Sequence, residues 1–227
     1  MSPLLNIIFH PRTTVCELKG HPRWLTSFLI LAALTLIIGF FTNAYSVGLV
    51  LRHLPASATQ HDKVMVTWWL DHESLSRYAF QPVRLFAGWL LFTLALFYAC
   101  RSAASGEQFR FAQILALEVH AEAALVLAKL ATLLSVTLSS NNGSSHLIIP
   151  FSVAGFVDAG SFPMTAFLNS LNVFTGLYLG ILAVGVSVIC NLRTAKSILM
   201  VLTVWGVVMF VNSGILAGLQ DELHLIP

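Results

Sequence analysis

The sequence predicts an all-α fold: a polytopic membrane helix bundle with five transmembrane helices. Three observations predict it. The 227 residues are 57% hydrophobic and only 10% charged, whereas a soluble domain carries about 25% charged residues, so a water-facing surface cannot be built from this composition. Apolar runs of about 20 residues, the length that crosses a bilayer, recur along the chain. Polar turns and basic residues separate them, and the mean hydropathy is +0.81.

Residues 1–23 read as an N-terminal amphipathic cytoplasmic segment. Leu4, Leu5, Ile7, Ile8 and Phe9 precede Pro11. Proline suits the first helical position, where its missing N–H is not needed, and Gly20-His21-Pro22 ends the short helix. The expected placement is flat on the membrane surface. Arg12, Lys19 and Arg23 ahead of an apolar run imitate a signal peptide. The run is longer than an h-region of about 7–15 residues, and Thr42-x-Ala44 is a poor cleavage site, so it reads as a retained first span.

The membrane domain covers 24–219, with a short tail at 220–227. The first span is Leu25 to Leu49. Leu51 to Gln81 is too polar to cross, but Val64, Met65, Trp68, Trp69 and Leu75 recur at helical spacing, and tryptophan favours the interface. An interfacial helix is expected there. The second span is Pro82 to Cys100, the third Phe111 to Leu138, the fourth Leu168 to Cys190 and the fifth Ser197 to Leu219. Ser139 to Ser145 is a polar loop. Leu147 to Val157 is apolar but too short to cross, so it is a re-entrant or interfacial piece. Asp158 to Pro163 is a turn.

Basic residues beside the spans set the orientation. One side carries Arg12, Lys19, Arg23, Arg101, Arg110, Arg193 and Lys196. The other carries Arg52, Lys63, Arg77 and Arg84. The N-terminus is therefore expected inside and the C-terminus outside. The lipid bilayer is the expected surrounding. A net charge of +2 without basic clusters on a soluble stretch gives no reason to expect nucleic acid.

The third span carries the unusual chemistry: Glu118, His120, Glu122 and Lys129 in a run of Ala, Leu and Val. A charged residue near a helix centre costs about 2.5–3.5 kcal/mol on insertion scales, so such residues face the bundle interior and find partners. Glu118, Glu122 and Lys129 share a stripe, and His120 points elsewhere, since two residues turn about 200°. Glu122 and Lys129 are roughly 10 Å apart along the axis, so a direct pair needs both side chains extended, and a water or another helix serves equally well. These residues form either a proton, ion or small-ligand site or a structural set that fixes packing. The Glu118, His120, Glu122 spacing is not the spacing of a helical metal site, and no metal or cofactor is expected. His53, His61 and His72 beside Asp62 and Asp71 read as solvated surface residues. Cys16, Cys100 and Cys190 form no C-x-x-C motif and read as reduced apolar filler.

No phosphate loop, dinucleotide fingerprint or nucleophile elbow is present, and no serine has a readable base partner. Gly176 and Gly180, and Gly214 and Gly218, have the spacing that lets membrane helices pack closely. That spacing suits packing within the chain or a seam with a second copy or another membrane protein.

Asn6-Ile-Ile-Phe-His-Pro11-Arg12, His21-Pro22-Arg23-Trp24-Leu25, Phe109-Arg110-Phe111-Ala-Gln113 leading to His120, Leu171-Asn172-Val173-Phe174, Leu182-Ala183-Val184-Gly185-Val186 and the hairpin ending Ala195-Lys196 resemble the bacterial branch of the Yip (Ypt/Rab-interacting protein) membrane family. The resemblance covers roughly Asn6 to Gly218. Leu177 departs from it, where a tryptophan is expected. The resemblance implies a five-span fold in a bacterial inner membrane, and Asn172 joins the intramembrane polar set. Eukaryotic members resemble adaptors for Rab GTPases, a system a bacterium lacks. The expected function is a non-enzymatic scaffold or membrane-organisation protein. The alternative is a small-solute or ion transporter or channel component that uses the charges of the third span.

Overall fold

The computed structural model describes residues 3–52, 59–104, 108–138, 151–157 and 162–223. All regular elements among them are helical, and the one ladder contact is an isolated antiparallel bridge between Ser152 and Asn172.

The chain opens with α1 (Pro3–Phe9) and α2 (Pro11–Gly20). The predicted ends of α2 hold, and the His10 carbonyl accepts the Thr13 and Thr14 hydroxyls at 2.9 and 3.0 Å. One face of these two helices turns into the protein, while Leu5 and Phe9 stay exposed. Leu4, Ile7, Val15 and Leu18 are buried, and Ile7, Val15 and Leu18 join the core that holds Leu117, Leu182 and Val186. An apolar stripe must be covered, and here protein covers it rather than lipid.

Helix α3 (Leu25–Arg52) has an apolar window at Leu25–Thr42. Its buried stripe is Ser27, Leu31, Thr35 and Ile38, while Leu29, Ile30, Leu34, Ile37, Phe40 and Phe41 are exposed. Exposed apolar surface with hydroxyls turned inward is the reverse of a soluble helix. The surrounding medium is lipid.

Helix α4 (Gln60–Ala103) corrects the separation of an interfacial helix from a second span. The two are one helix of 44 residues, with Pro82 inside it. Proline removes only its own N–H bond, toward Tyr78, and the helix continues past the defect. Its apolar window is Phe80–Ala103. At about 1.5 Å per residue, α4 is roughly 66 Å long, against a hydrocarbon core of about 30 Å, so the polar half lies beyond the core. Trp24, Phe28, Phe86 and Trp89 form an aromatic cluster between α3 and α4, with ring centroids 5.3 to 6.4 Å apart.

The expected third span is the path of α5 (Phe111–Ala121) and α6 (Ala123–Leu138). It is irregular only at Glu122, where the Glu122 N–H still reaches the Glu118 carbonyl and the Val126 N–H the Glu122 carbonyl, both at 3.0 Å. Residues 114–124 are all buried. This is the central helix, wrapped by α1, α3, α4 and α8.

The loop at 139–145 lies outside the described residues. Residues 151–157 fold back on the next helices through a short 3₁₀ turn, Val153–Gly155. The Val153 N–H donates to the Leu171 carbonyl at 3.0 Å, and the buried Ser152 hydroxyl to Asn169 Oδ1 at 3.1 Å. Phe151 and Phe156 project outward.

Helix α7 (Phe162–Ser170) stops at Leu171, and α8 (Val173–Ile189) begins anew, so the expected fourth span is broken near its start. Helix α9 (Thr194–Leu223) follows a tight turn in which Asn191 is left-handed at φ 50°. Three helices, α3, α4 and α9, are long and apolar enough to cross a membrane by length and composition, and α8 is a shorter apolar helix. The expectation of five adds α8 and the α5–α6 path.

One end of the bundle is stitched by lysines. Lys19 Nζ donates to the Val188 carbonyl at 3.1 Å, in the last turn of α8. Lys196 Nζ donates to the Ala103 carbonyl at 2.9 Å, at the end of α4. Both satisfy terminal carbonyls that a helix leaves open, and both complement its dipole. Cys100 and Cys190 are buried there against each other as free thiols, and Cys16 is exposed.

Candidate functional site

The polar side chains of the central helix meet different neighbours. Gln113 comes first. Its Oε1 accepts the Arg110 N–H at 2.7 Å, the Gln113 N–H returns to the Arg110 carbonyl at 3.0 Å, and Nε2 donates to the Lys19 carbonyl at 2.6 Å. One side chain thus caps α5 and ties it to the end of α2.

Glu118 is buried against α8, where the Tyr178 hydroxyl donates to Oε1 at 2.7 Å. Its second oxygen, Oε2, has no hydrogen-bond partner among the described residues. Phe92 of α4 packs on the same tyrosine, with ring centroids 6.3 Å apart.

His120 turns toward α3. Nδ1 lies 2.7 Å from the Ala116 carbonyl and Nε2 2.9 Å from Ser27 Oγ. A carbonyl only accepts, so Nδ1 carries a proton, and in the neutral ring the Ser27 hydroxyl donates to Nε2. Ser27 therefore has a base partner that the sequence does not reveal. The arrangement lacks a carboxylate behind the imidazole, which a triad uses to orient its base, and both side chains are buried.

Glu122 pairs directly with Lys129, Nζ to Oε1 at 3.9 Å, the long end of the ion-pair range. The lysine side chain is 38% exposed and the glutamate 7%. Trp89 of α4 lies against the same carboxyl.

Asn172 is not part of this set. It is the N-cap of α8, with Oδ1 accepting the Thr175 N–H at 2.9 Å and Nδ2 donating to the Asn169 carbonyl at 2.8 Å. Its backbone is extended, as a cap residue's is.

The glycines also fall differently from the expectation. A Cβ at Gly176 or Gly180 meets no atom within 4 Å, so neither carries a close approach inside the chain. Gly185 does: a Cβ there would overlap the Leu117 side chain, 2.9 Å from Cγ. The surroundings of Gly214 and Gly218 lie outside the described residues.

Ser27, Trp89, Gln113, Tyr178 and Gly185 complete the arrangement, and the sequence does not single them out as partners. Gln113 and Gly185 at least stand within the motifs that carry the family resemblance. Among the described residues, no three His, Cys, Asp or Glu side chains gather as a metal-ligand set. His61 is exposed, while His53 and the side chains of Asp62, Asp71 and His72 lie outside the described residues.

Lipid-facing apolar helices wrapped around a helix of buried polar groups define an integral, multi-pass membrane protein. The family model described as the Yip1 domain matches residues 5–215. The chain belongs to the Yip1 domain family. No curated protein and no solved structure matches it.

Proposed function

We propose that the protein is a non-enzymatic scaffold of the bacterial inner membrane, with five spans, its N-terminus inside and its C-terminus outside. In this reading the polar groups of the third span fix the packing of the surrounding helices. One observation carries it: Glu118, His120 and Glu122 each have a side-chain partner, Tyr178 and Ser27 by hydrogen bonds and Lys129 by an ion pair. Three clefts among the described residues lie at the basic end and are lined by residues such as Arg12, Arg101 and Arg193, none of them from this set. The bacterial placement comes from the motif resemblance, and the orientation from the distribution of Lys and Arg.

The transport reading is favoured by a different observation, the unpartnered Glu118 Oε2 in the core. One set of variants separates the two. Under the scaffold reading, Glu122→Gln and Lys129→Met each lower abundance in the membrane, and the double variant recovers part of it, because a buried group left without its partner is what destabilises. Proton and ion flux across proteoliposomes is then the same for wild type, Glu118→Gln and the empty membrane. Variants that accumulate normally but abolish a flux measured for wild type would establish transport instead. Labelling of Ser27 by a fluorophosphonate probe would establish an enzyme.

A further inference from the structure

Basic side chains gather where α4 and α8 end and α5 and α9 begin. Lys19 and Lys196 are engaged there with main-chain carbonyls. Arg101 and Arg110 are not. Both are exposed, and neither guanidinium has an ion-pair or hydrogen-bond partner among the described residues. They line one cleft of about 430 Å³ together with Phe97, Gln108 and Phe109. Phe97 and Phe109 pack edge to face in its lining, with ring centroids 5.4 Å apart, and give it an aromatic patch beside the charges.

The surface beside the cleft has its own pattern. Leu91, Leu94 and Tyr98 are 68%, 42% and 62% exposed. With Arg101 they are spaced by three and four residues, so all four lie on one stripe of α4. Leu91 and Arg101 are roughly 15 Å apart along the helix axis. The stripe is apolar over the depth of a lipid tail and ends at a pair of guanidinium groups. A soluble anion needs only the charges. A phospholipid needs both the charges and the stripe.

We propose that the Arg101–Arg110 cleft holds the phosphate headgroup of an anionic phospholipid from the adjacent leaflet, with an acyl chain along Leu91, Leu94 and Tyr98. Guanidinium groups match phosphate oxygens through paired N–H donors, and the aromatic patch of the cleft accommodates the glycerol end of the chains. This site does not depend on the scaffold reading and lies apart from the buried groups of the third span.

Native mass spectrometry of the purified full-length protein tests it, with phosphatidylglycerol and phosphatidylcholine of matched chains. Wild type is expected to retain phosphatidylglycerol over phosphatidylcholine by roughly fivefold or more, the scale of one or two basic contacts at a membrane surface. The double variant R101Q/R110Q brings the ratio close to one, and each single variant lowers it part-way. R84Q, on the same helix beyond the other end of the stripe, leaves it unchanged. Equal retention of the two lipids by wild type overturns the proposal, as does a ratio that neither single variant moves, or an equal loss in R84Q. Displacement of phosphatidylglycerol by glycerol 3-phosphate at matched concentration also overturns it, because the site would then belong to a soluble phosphate compound.

Discussion

The Tyr178 hydroxyl donates to Glu118 Oε1 at 2.7 Å across the α5–α8 interface, and it is the one hydrogen-bond partner of that buried carboxyl among the described side chains. Tyr178→Phe leaves both carboxyl oxygens unsatisfied in the core. A cost of about 1–3 kcal/mol is expected, the usual penalty for a buried polar group that loses its partner. Replacing both groups removes the penalty along with the bond. The Tyr178→Phe/Glu118→Leu double variant should therefore melt above the Tyr178→Phe single variant. Thermal unfolding in detergent, followed by circular dichroism, reads the order. A double variant that is merely the sum of two losses would mean the pair does not act as a unit.

Gln113 uses both ends of its amide, and this makes a sharp distinction between two substitutions. Gln113→Ala loses the bond to the Lys19 carbonyl, and about 1 kcal/mol of stability is expected to go with it. Gln113→Glu keeps the acceptor for the Arg110 N–H but aims a second acceptor at the Lys19 carbonyl. It should loosen α2 more than alanine does, although it is nearly isosteric. Hydrogen exchange of residues 11–20 is the measurement, with faster exchange expected in the order wild type, Ala, Glu.

Gly185 and the pair Gly176 and Gly180 should behave in opposite ways. Gly185→Ala drives a methyl group into Leu117, and a loss of about 1–3 kcal/mol is expected from overpacking. Leu117→Ala in the same chain should relieve part of it. Gly176→Ala and Gly180→Ala meet open space and should leave monomer stability unchanged. If they change the oligomeric state by light scattering, those glycines pack between copies.

The three thiols report on both burial and sidedness. Cys16 is exposed on α2, and Cys100 and Cys190 are buried against each other. An impermeant maleimide should label Cys16 in inside-out vesicles and not in intact cells, as the expected orientation requires. Cys100 and Cys190 should stay unlabelled in both until the protein is denatured. Labelling of Cys16 in intact cells would reverse the orientation.

Much of this fold can be read from hydropathy, because a membrane span announces itself by length alone. The limits of that reading are specific. Pro82 opens the expected second span, yet α4 runs through it, since one lost hydrogen bond does not by itself end a helix. The apolar face of α1 and α2 looks the same whether lipid or protein covers it. In the third span, composition reveals which side chains need partners and helical geometry separates His120 from the glutamates. The partners themselves, Ser27 for His120 and Tyr178 for Glu118, are 93 and 60 residues away in sequence, and no local pattern points to them. The spacing of Glu122 and Lys129 allows either a direct contact or a bridge, and the two side chains are long enough to approach to 3.9 Å.

The partners of the central helix are also ordered in time. Ser27 and Trp89 lie on α3 and α4, which are synthesised before it, so His120 and Glu122 can find those helices as α5 and α6 follow. Tyr178 comes 60 residues after Glu118. Until α8 emerges, Glu118 has no tyrosine to meet, and the helix around it is only partly enclosed. The arrival of α8 is then the step that closes the bundle, and a chain truncated before Val173 should be left with an exposed acidic group on the face that α8 covers, the kind of unfinished feature by which a cell can tell an incomplete membrane protein from a complete one.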